Sequence, residues 1–475
     1  MINPKITLLY NNWAGEKAVK ITPLAISGSD RKYFRIVSAS KQALGVLNPN
    51  ARENLAFIEF SKQFLAKGIK VPIIYADDIA NNIYLIEDLG DTTLFKFLSQ
   101  EQIKGGFTKD LLDLYLKIIS QLPKIQIIAS ENLDYSICYP RSDFDKQSMM
   151  WDLNYFKYYF LKLSGMSFDE QELEDDFQKF TDYLLKADNK YFLYRDFQSR
   201  NIMLKDNDIY FIDYQGGRRG ALQYDLASLL YDAKAEIPQD IRNLLLNKYI
   251  EELKQYITIN EDEFKSYYAG FVIIRILQAM GAYGFRGFYE KKAHFLASIP
   301  FAMDNLNYVL KNNIFPIELN TLIPLLKSVA VSEKLKSLGN QSKNLTVQVN
   351  SFSYKRGVPV DESGNGGGFV FDCRALPNPG RYEIYQEATG IDLSVIEFLE
   401  REDSVNIFFK NVSELVSQSV ENYLERNFDS LSINFGCTGG QHRSVYFAEK
   451  ISRFIKDKYN VKVVLRHREQ EMKRL

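Results

Sequence analysis

Cysteine and histidine are both scarce in this chain, at 3 residues each. Cys138, Cys373 and Cys437 lie far apart and are odd in number, which argues against a disulfide framework and suits a reducing compartment. His442 and His467 have no third histidine and no paired cysteine at ligand spacing, so hydrogen bonding to a phosphate suits them better than zinc. His294, beside Lys291 and Lys292 in a helical stretch, reads as structural. Charge of neither sign prevails: 59 Lys and Arg stand against 60 Asp and Glu, for a net charge of -1. No whole-chain attraction to nucleic acid or to a membrane follows from that balance. Long apolar runs are missing too. The most apolar stretch, Phe271 to Phe285, holds Arg275 and Gln278 and is too short for a bilayer. The opening Met-Ile-Asn-Pro-Lys has no basic segment followed by an apolar one, so no signal peptide is expected. The expectation is a soluble, cytoplasmic protein with no membrane partner.

What is present is ordinary globular composition, with 46% hydrophobic and 25% charged residues. A chain of 475 residues exceeds what one core organises, so two or three domains are expected. Ile21 to Ile26, Tyr33 to Ser38, Ala43 to Leu47 and Ile83 to Glu87 read as strands, with a turn at Ser27 to Arg31. Pro49 and Asn50 break the third strand, and Glu53 to Lys67 reads as an amphipathic helix ending at Gly68. Residues 94–328 are mainly helical, for example Asp110 to Leu122 and Glu170 to Lys186, with a β-rich island from Tyr191 to Asp213. Ser332 to Asn344 lacks apolar periodicity, which marks a linker over 329–344. A second strand-and-helix region then fills 345–475. The fold class expected is α/β (α+β): a two-lobed, protein-kinase-like fold (N-lobe 1–93, C-lobe 94–328) followed by a smaller α/β domain.

Tyr194-Arg195-Asp196-Phe197-Gln198-Ser199-Arg200-Asn201 fits Arg-Asp, four residues, then Asn, and Asp213 follows twelve residues later. Phosphoryl transfer needs few protein groups. One carboxylate, Asp196, would orient the attacking hydroxyl and accept its proton. An amide and a second carboxylate, Asn201 and Asp213, would hold Mg²⁺ against the phosphates of ATP. A hairpin between them (Ile202 to Leu204, Ile209 to Ile212) would bring both to one side of a cleft. The plain alternative is a surface turn before an ordinary strand.

These motifs make residues 1–325 resemble the aminoglycoside phosphotransferase-like kinases. The resemblance implies a hinge at Glu87-Asp88-Leu89-Gly90, where Glu87 and Leu89 pair with adenine, and a supporting role for Asp225 in Gln223-Tyr224-Asp225-Leu226-Ala227-Ser228. Two departures stand out. The family's catalytic loop usually begins with a structural His, and Tyr194 stands here. The family's third strand usually offers a Lys to the phosphates, and Gln42 to Leu47 has none; Lys41 precedes it and is expected to point away. Phosphate charge would then fall to Mg²⁺, to backbone N–H groups of Ser27, Gly28 and Ser29, or to Arg31 or Arg35. Glu53 is either the counterpart of the kinase helix Glu or a first-turn carboxylate. Within the family the likeness is to anomeric kinases of N-acetylmuramate and N-acetylglucosamine. It is carried by Asp213-Tyr214-Gln215-Gly216-Gly217, by Tyr224 to Asp232 and by Leu277 to Arg286. Arg200, Gln215 and the aromatics of Trp151 to Tyr159 are candidates to grip the sugar, each with a bland alternative as surface cation, turn residue and helix core.

Phe435-Gly436-Cys437-Thr438-Gly439-Gly440-Gln441-His442-Arg443-Ser444 follows an apolar run and precedes a helix. Strand, glycine loop and helix N-terminus together suit an anion, with Cys437, Thr438, Gly439, Gly440, His442, Arg443 and Ser444 as the candidate loop. Cys437 and Arg443 also have the spacing of cysteine phosphatases, although no general acid announces itself. Residues 345–475 resemble the RapZ C-terminal domain. The matching runs are Ser351 to Lys355, Phe369 to Arg374, Leu376 to Pro379, Gly436 to Val445 and Arg466 to Arg468. That resemblance implies a sensor of amino-sugar metabolites that in some members binds small RNA. The basic bias after Val461 is small for a nucleic-acid footprint, so RNA is not the favoured partner.

The expected function is an ATP- and Mg²⁺-dependent kinase of an amino sugar's anomeric hydroxyl in cell-wall sugar salvage. The C-terminal domain would bind a phosphosugar or nucleotide sugar. The alternatives are a metabolite-sensing or RNA-binding adaptor with a degenerate kinase domain, and a phosphatase at Cys437.

Overall fold

The computed structural model describes residues 4–24, 31–290, 292–338, 345–360, 368–425, 428–459 and 461–473, apart from the side chains of 103–104, 293–294, 425 and 472–473. The chain divides into two compact units, Met1–Glu290 with Ser298–Lys336, and Lys291–Ala297 with Ser337–Leu475.

The first unit opens with helix α1 (Pro4–Ala14), for which the sequence showed no pattern strong enough to predict it. Ile6, Tyr10 and Ala14 recur every four residues and bury one face of α1 on a five-stranded antiparallel sheet. The strands are β1 (Lys20–Pro23), β2 (Lys32–Val37), β3 (Gln42–Leu47), β4 (Ile74–Asp78) and β5 (Ile83–Ile86), in the order β1-β2-β3-β5-β4. Gly45 in β3 makes room for α1: a Cβ there would lie 2.7 Å from Ile6 Cδ1. Helix α2 (Ala51–Ala66) starts where Asn50 caps it, its side chain accepting from Glu53 N at 3.2 Å. That cap places Glu53 in the first turn, facing the sheet.

The rest of the unit is mostly helical. Its functional strands are short: β6 (Tyr191–Leu193) pairs with β9 (Arg218–Gly220), and β7 (Ile202–Lys205) pairs with β8 (Asp208–Phe211) as an antiparallel hairpin. Asp206 and Asn207 turn that hairpin at φ of 52° and 62°, the left-handed region their short polar side chains tolerate. Three helices surround these strands: α3 (Lys146–Phe156), α4 (Gln223–Leu230) and α5 (Glu261–Gly284). The apolar stretch Glu261–Tyr289, which contains α5, is long and apolar enough to cross a membrane by composition, but 67% of its most apolar window is buried inside the protein. Its glycines allow the close approach. A Cβ on Gly284 would lie 2.1 Å from Tyr159 O. Helices Leu322–Val331 and Glu333–Ser337 run into the stretch expected as linker, and 339–344 lie outside the described residues.

The second unit holds a four-stranded, all-parallel sheet of β10 (Thr346–Ser353), β11 (Gly368–Asp372), β12 (Ser430–Cys437) and β13 (Lys462–His467), in the order β11-β12-β10-β13. Parallel central strands are covered on both faces, and in β12 Leu431 to Cys437 are all buried. Helix α6 (Asp403–Glu425) and helix α7 (Arg443–Lys458) supply cover, with Val412, Val416, Phe447 and Ile451 packing on Val347, Ile433 and Phe435.

Candidate active site

The catalytic loop is held from behind by a buried carboxylate. Asp225, in the first turn of α4, accepts the backbone N–H groups of Tyr194 at 2.8 Å and Arg195 at 3.0 Å, and the Gln126 side-chain amide at 2.9 Å. Burial pushes its carboxyl up to about 7, against the pull of those hydrogen bonds. Arg195 takes φ of +80°, a strained value for a side-chain-bearing residue, which the carboxylate clamp sustains. Its guanidinium turns away from the cleft and grips both oxygens of Asp152 in α3, at 2.7 and 2.6 Å, and Tyr224 Oη at 2.6 Å. Tyr194, in the family's histidine position, donates its hydroxyl to Ile212 O at 2.6 Å and so ties the loop to the segment bearing Asp213.

Asp196, Asn201 and Asp213 converge. Asn201 Nδ2 donates to Asp196 O at 2.8 Å and reaches Asp213 Oδ2 at 3.3 Å. Ile212 N donates to Asn201 O at 3.1 Å, closing the hairpin ends together. Asp213 sits at φ of +68°. Burial, then the neighbouring Asp213 carboxylate, raise Asp196 above the usual carboxylate range, while Arg195, Arg275 and Arg218 pull it back. Asp196, Asn201 and Asp213 line one cavity of about 560 Å³.

The buried cation facing this cavity is Arg31. It is 4% exposed, its Nη2 donates to Glu53 Oε1 at 2.5 Å and its Nη1 stands 3.8 Å from Asp213 Oδ1. Its Nε is sealed without a partner. Arg35, the other candidate, is bound to Asp88 at 2.5 Å and Asp91 at 2.9 Å. Lys41 lies over the Trp13 ring, as its place ahead of β3 suggests. Glu53 is therefore a partner of Arg31, and of Asn48 at 3.0 Å, rather than a free first-turn carboxylate.

Of the remaining candidates, Glu87, Leu89, Arg200 and Gln215 also line the cavity. The backbone N–H of Glu87 is spent on Ile73 O at 2.9 Å, and its side chain binds Lys205 at 2.7 Å. Gln215 is buried; its Nε2 donates to Asp213 Oδ1 at 2.6 Å and its Oε1 has no partner. Ser27, Gly28 and Ser29 lie outside the described residues. None of the aromatics from Trp151 to Tyr159 lines the cavity: Tyr155 and Tyr159 pack with Phe285, and Phe156 is core. Sequence reading missed the apolar wall of Leu44, Ile86, Met203 and Ile212. These look like ordinary strand residues, and only the fold turns them to the cleft.

In the second unit the expected anion loop is split. Gly439 and Gly440 line a cavity of about 570 Å³ together with Lys355, Arg356 and Glu469. Cys437, Arg443 and Ser444 face inward instead. Arg443 donates to the carbonyls of Arg374 and Leu376 at 2.9 and 2.8 Å. Cys437 is 3% exposed and its Sγ accepts from Gly440 N and meets Ser444 Oγ, both at 3.2 Å. This is not the open thiolate beside a free arginine that a cysteine phosphatase needs. Thr438 is exposed, with its carbonyl accepting from Ser353 Oγ at 2.7 Å, and His442 Nε2 lies 2.8 Å from Tyr385 O. In the basic tail, Arg466 pairs with Glu471 at 3.1 Å and His467 faces Glu449 at 3.2 Å.

Residues 20–257, half of the chain, match the family profile described as the phosphotransferase enzyme family. The chain belongs to that family. Residues 345–471 match the RapZ C-terminal domain. The chain is 37% identical over 136 residues to a nucleotide-binding protein of Marinobacter nauticus, a match covering 29% of this chain and 44% of that protein. A nucleotide-binding protein of Thermotoga neapolitana is 38% identical over 136 residues, 29% of this chain and 46% of its own. The chain thus spans less than half the length of these relatives. Similar solved structures include the amicoumacin kinase bound to AMP-PNP, Ca²⁺ and its antibiotic (12% identity, TM-score 0.43, covering 63% of this chain and 90% of that one). A choline kinase from Streptococcus pneumoniae has 14% identity and a TM-score of 0.40, covering 65% and 99%. An ethanolamine kinase of Plasmodium vivax has 15% identity and 0.44, covering 65% and 84%.

Proposed function

We propose that this phosphotransferase is an ATP-dependent kinase of the anomeric hydroxyl of an amino sugar, of the N-acetylmuramate or N-acetylglucosamine kind, serving cytoplasmic cell-wall sugar salvage. The observation that carries the kinase reading is the convergence of Asp196, Asn201 and Asp213 on one cavity with Arg31 and Glu53. Asp196 accepts the proton of the attacking hydroxyl as the sugar oxygen bonds to the γ-phosphorus; the bond to the β,γ-bridging oxygen breaks and ADP leaves. Asn201 and Asp213 offer hard oxygen donors that suit Mg²⁺. A metal of this class takes only one or two protein oxygens when phosphates and water complete its shell, in keeping with the lack, among described residues, of any cluster of three metal-binding side chains. Mg²⁺ held there would supply positive charge against the phosphates. Arg31 adds a second positive charge, and Glu53 orients it. Leu44, Ile86, Met203 and Ile212 suit a flat adenine, with Glu87 to Leu89 as the hinge. Gln215, which lines the cavity and donates to Asp213, and Arg200 at the same cavity are the side chains assigned to the sugar.

A panel of sugars and aminoglycosides with ATP and Mg²⁺ tests this. Transfer to N-acetylmuramate or N-acetylglucosamine that Asp196→Asn abolishes is expected; transfer to neither sinks the substrate claim.

The C-terminal domain is read as a binding module for a phosphosugar or nucleotide sugar, because Lys355 lines the same cavity as Gly439 and Gly440, beside an Arg356 that is paired with Glu469 at 3.2 Å. Amino-sugar phosphates should raise its melting temperature in wild type but not in Lys355→Ala. An equal shift in both would remove this reading.

A further inference from the structure

Two buried arginines near Asp196 have no carboxylate partner among the described residues. Arg218, in β9, donates from Nε and Nη2 to Gly216 O at 3.1 and 3.0 Å. Arg275, within α5, donates from Nε to Ser228 Oγ at 2.9 Å and from Nη1 to Gln278 Oε1 at 2.7 Å. Their exposures are 6% and 8%. A guanidinium taken from water and given only neutral acceptors is costly, because no opposite charge offsets its lost hydration. The sealed polar atoms left without a partner include Arg31 Nε and Gln215 Oε1, but no nitrogen of Arg218 or Arg275. Nη1 of Arg218 and Nη2 of Arg275, which carry no hydrogen bond, therefore reach solvent.

Both arginines stand behind segments that adjoin the Asp196 loop, outside the lining of the cavity described above. Gly216, which Arg218 grips, is placed so that a Cβ on it would lie 3.6 Å from Asp196 Oδ2. Ser228, which Arg275 grips, is one helical turn along α4 from Asp225, whose carboxylate holds Tyr194 N and Arg195 N. Both guanidiniums act on the Asp196 carboxyl through space. The other carboxylates nearby have hydrogen bonds of their own. Asp152 gives both oxygens to Arg195, Asp232 accepts from Ser199 Oγ at 2.6 Å, and Asp213 faces Gln215 and Arg31. Arg200, exposed at the cavity, adds further positive charge.

We infer that the acceptor carries an anionic group, a carboxylate or a phosphate, and that Arg218 and Arg275 bind it. This rests on the kinase reading above and deepens it. Planar guanidiniums meet either anion through charge-assisted hydrogen bonds. An acceptor anchored at its anion by this pair and at one hydroxyl by Asp196 is oriented at two points, which selects the hydroxyl that reacts. A neutral sugar leaves both arginines without a hydrogen-bonded counter-charge.

The test compares N-acetylmuramate, its methyl ester, N-acetylglucosamine and N-acetylglucosamine 6-phosphate, by kcat/KM and by equilibrium binding to the full chain. The carboxylate arm is the acid against its ester; the phosphate arm is the 6-phosphate against the unmodified sugar. One anionic acceptor should exceed its neutral counterpart by about 10- to 100-fold, the range expected of hydrogen bonds to a charged group. Arg275→Gln and Arg218→Gln should collapse that ratio toward one, and the Lys variants should restore part of it. A general packing defect would lower both members of a pair together and leave the ratio intact, which would overturn the proposal. Equal use and equal binding of charged and neutral acceptors by wild type would overturn it as well. Absence of transfer to every sugar would strike the kinase reading instead, while the binding ratio still decides the anion site.

Discussion

Arg31 donates to Glu53 at 2.5 Å across 22 residues of chain, joining the start of β2 to the first turn of α2. This pair puts a positive charge 3.8 Å from Asp213 although β3 has no lysine. Replacing Arg31 by Met should raise KM for ATP and lower kcat/KM by about 10- to 100-fold, the scale of a lost charge-assisted contact. Glu53→Gln should have a smaller effect of the same sign, since the cation remains but loses its anchor. Steady-state kinetics with varied ATP checks both; an unchanged KM for ATP in Arg31→Met would place the phosphates elsewhere.

The pH profile should report Asp196. A general base must be ionised, and Asp196 lies above its ordinary value of 3.8 because of burial and Asp213. Activity should therefore fall as pH drops, with its acid limb above the ordinary aspartate range. A limb at or below the ordinary value contradicts the assignment.

Asp225 sets a stability signature. Its carboxyl rises from 3.8 to about 7 in the folded state. A folded state that holds its proton more tightly than the unfolded chain loses stability as pH rises between those values, and below 3.8 the penalty vanishes. The loss is roughly 4 kcal/mol at most. Urea denaturation from pH 4 to 8 should show this slope in the difference between wild type and Asp225→Asn. Parallel curves would mean the carboxylate is as acidic folded as unfolded.

Gly284→Ala should destabilise the protein. Alanine gains about 1 kcal/mol of helix propensity over glycine, but its Cβ would lie 2.1 Å from Tyr159 O and 3.0 Å from Phe160 Cα. Backbone cannot yield as a flexible side chain does, so a net loss of about 1–3 kcal/mol is expected. Thermal unfolding measures it; an unchanged or higher melting temperature would show that α5 and the helical turn Lys157–Leu161 after α3 can part cheaply.

Much of the site was legible because it is local. Asp196, Asn201 and Asp213 sit on one loop and one hairpin, and hairpin register follows from turn residues such as Asp206 and Asn207. The support of the loop by Asp225 was also legible, from the resemblance. The inward turn of Cys437 and Arg443 was not. Strand, glycine loop and helix predict an anion cradle whether the arginine faces out or, as here, donates to Arg374 O and Leu376 O. Helix α1 escaped for a related reason: its apolar spacing is short, and only the sheet beneath it with Gly45 makes it stable.

The sequence by itself determined the order and spacing of the catalytic trio, the two-part organisation and the absence of a strand lysine, because each is a property of contiguous residues. Only the tertiary structure decided which of two candidate cations faces the cavity. Arg31 and Arg35 lie four residues apart in similar surroundings of sequence. One is paired with Glu53 and faces Asp213, while the other is consumed by Asp88 and Asp91. That choice depends on which carboxylate the sheet and α2 bring within reach, and Coulomb attraction falls with distance in space rather than with distance along the chain.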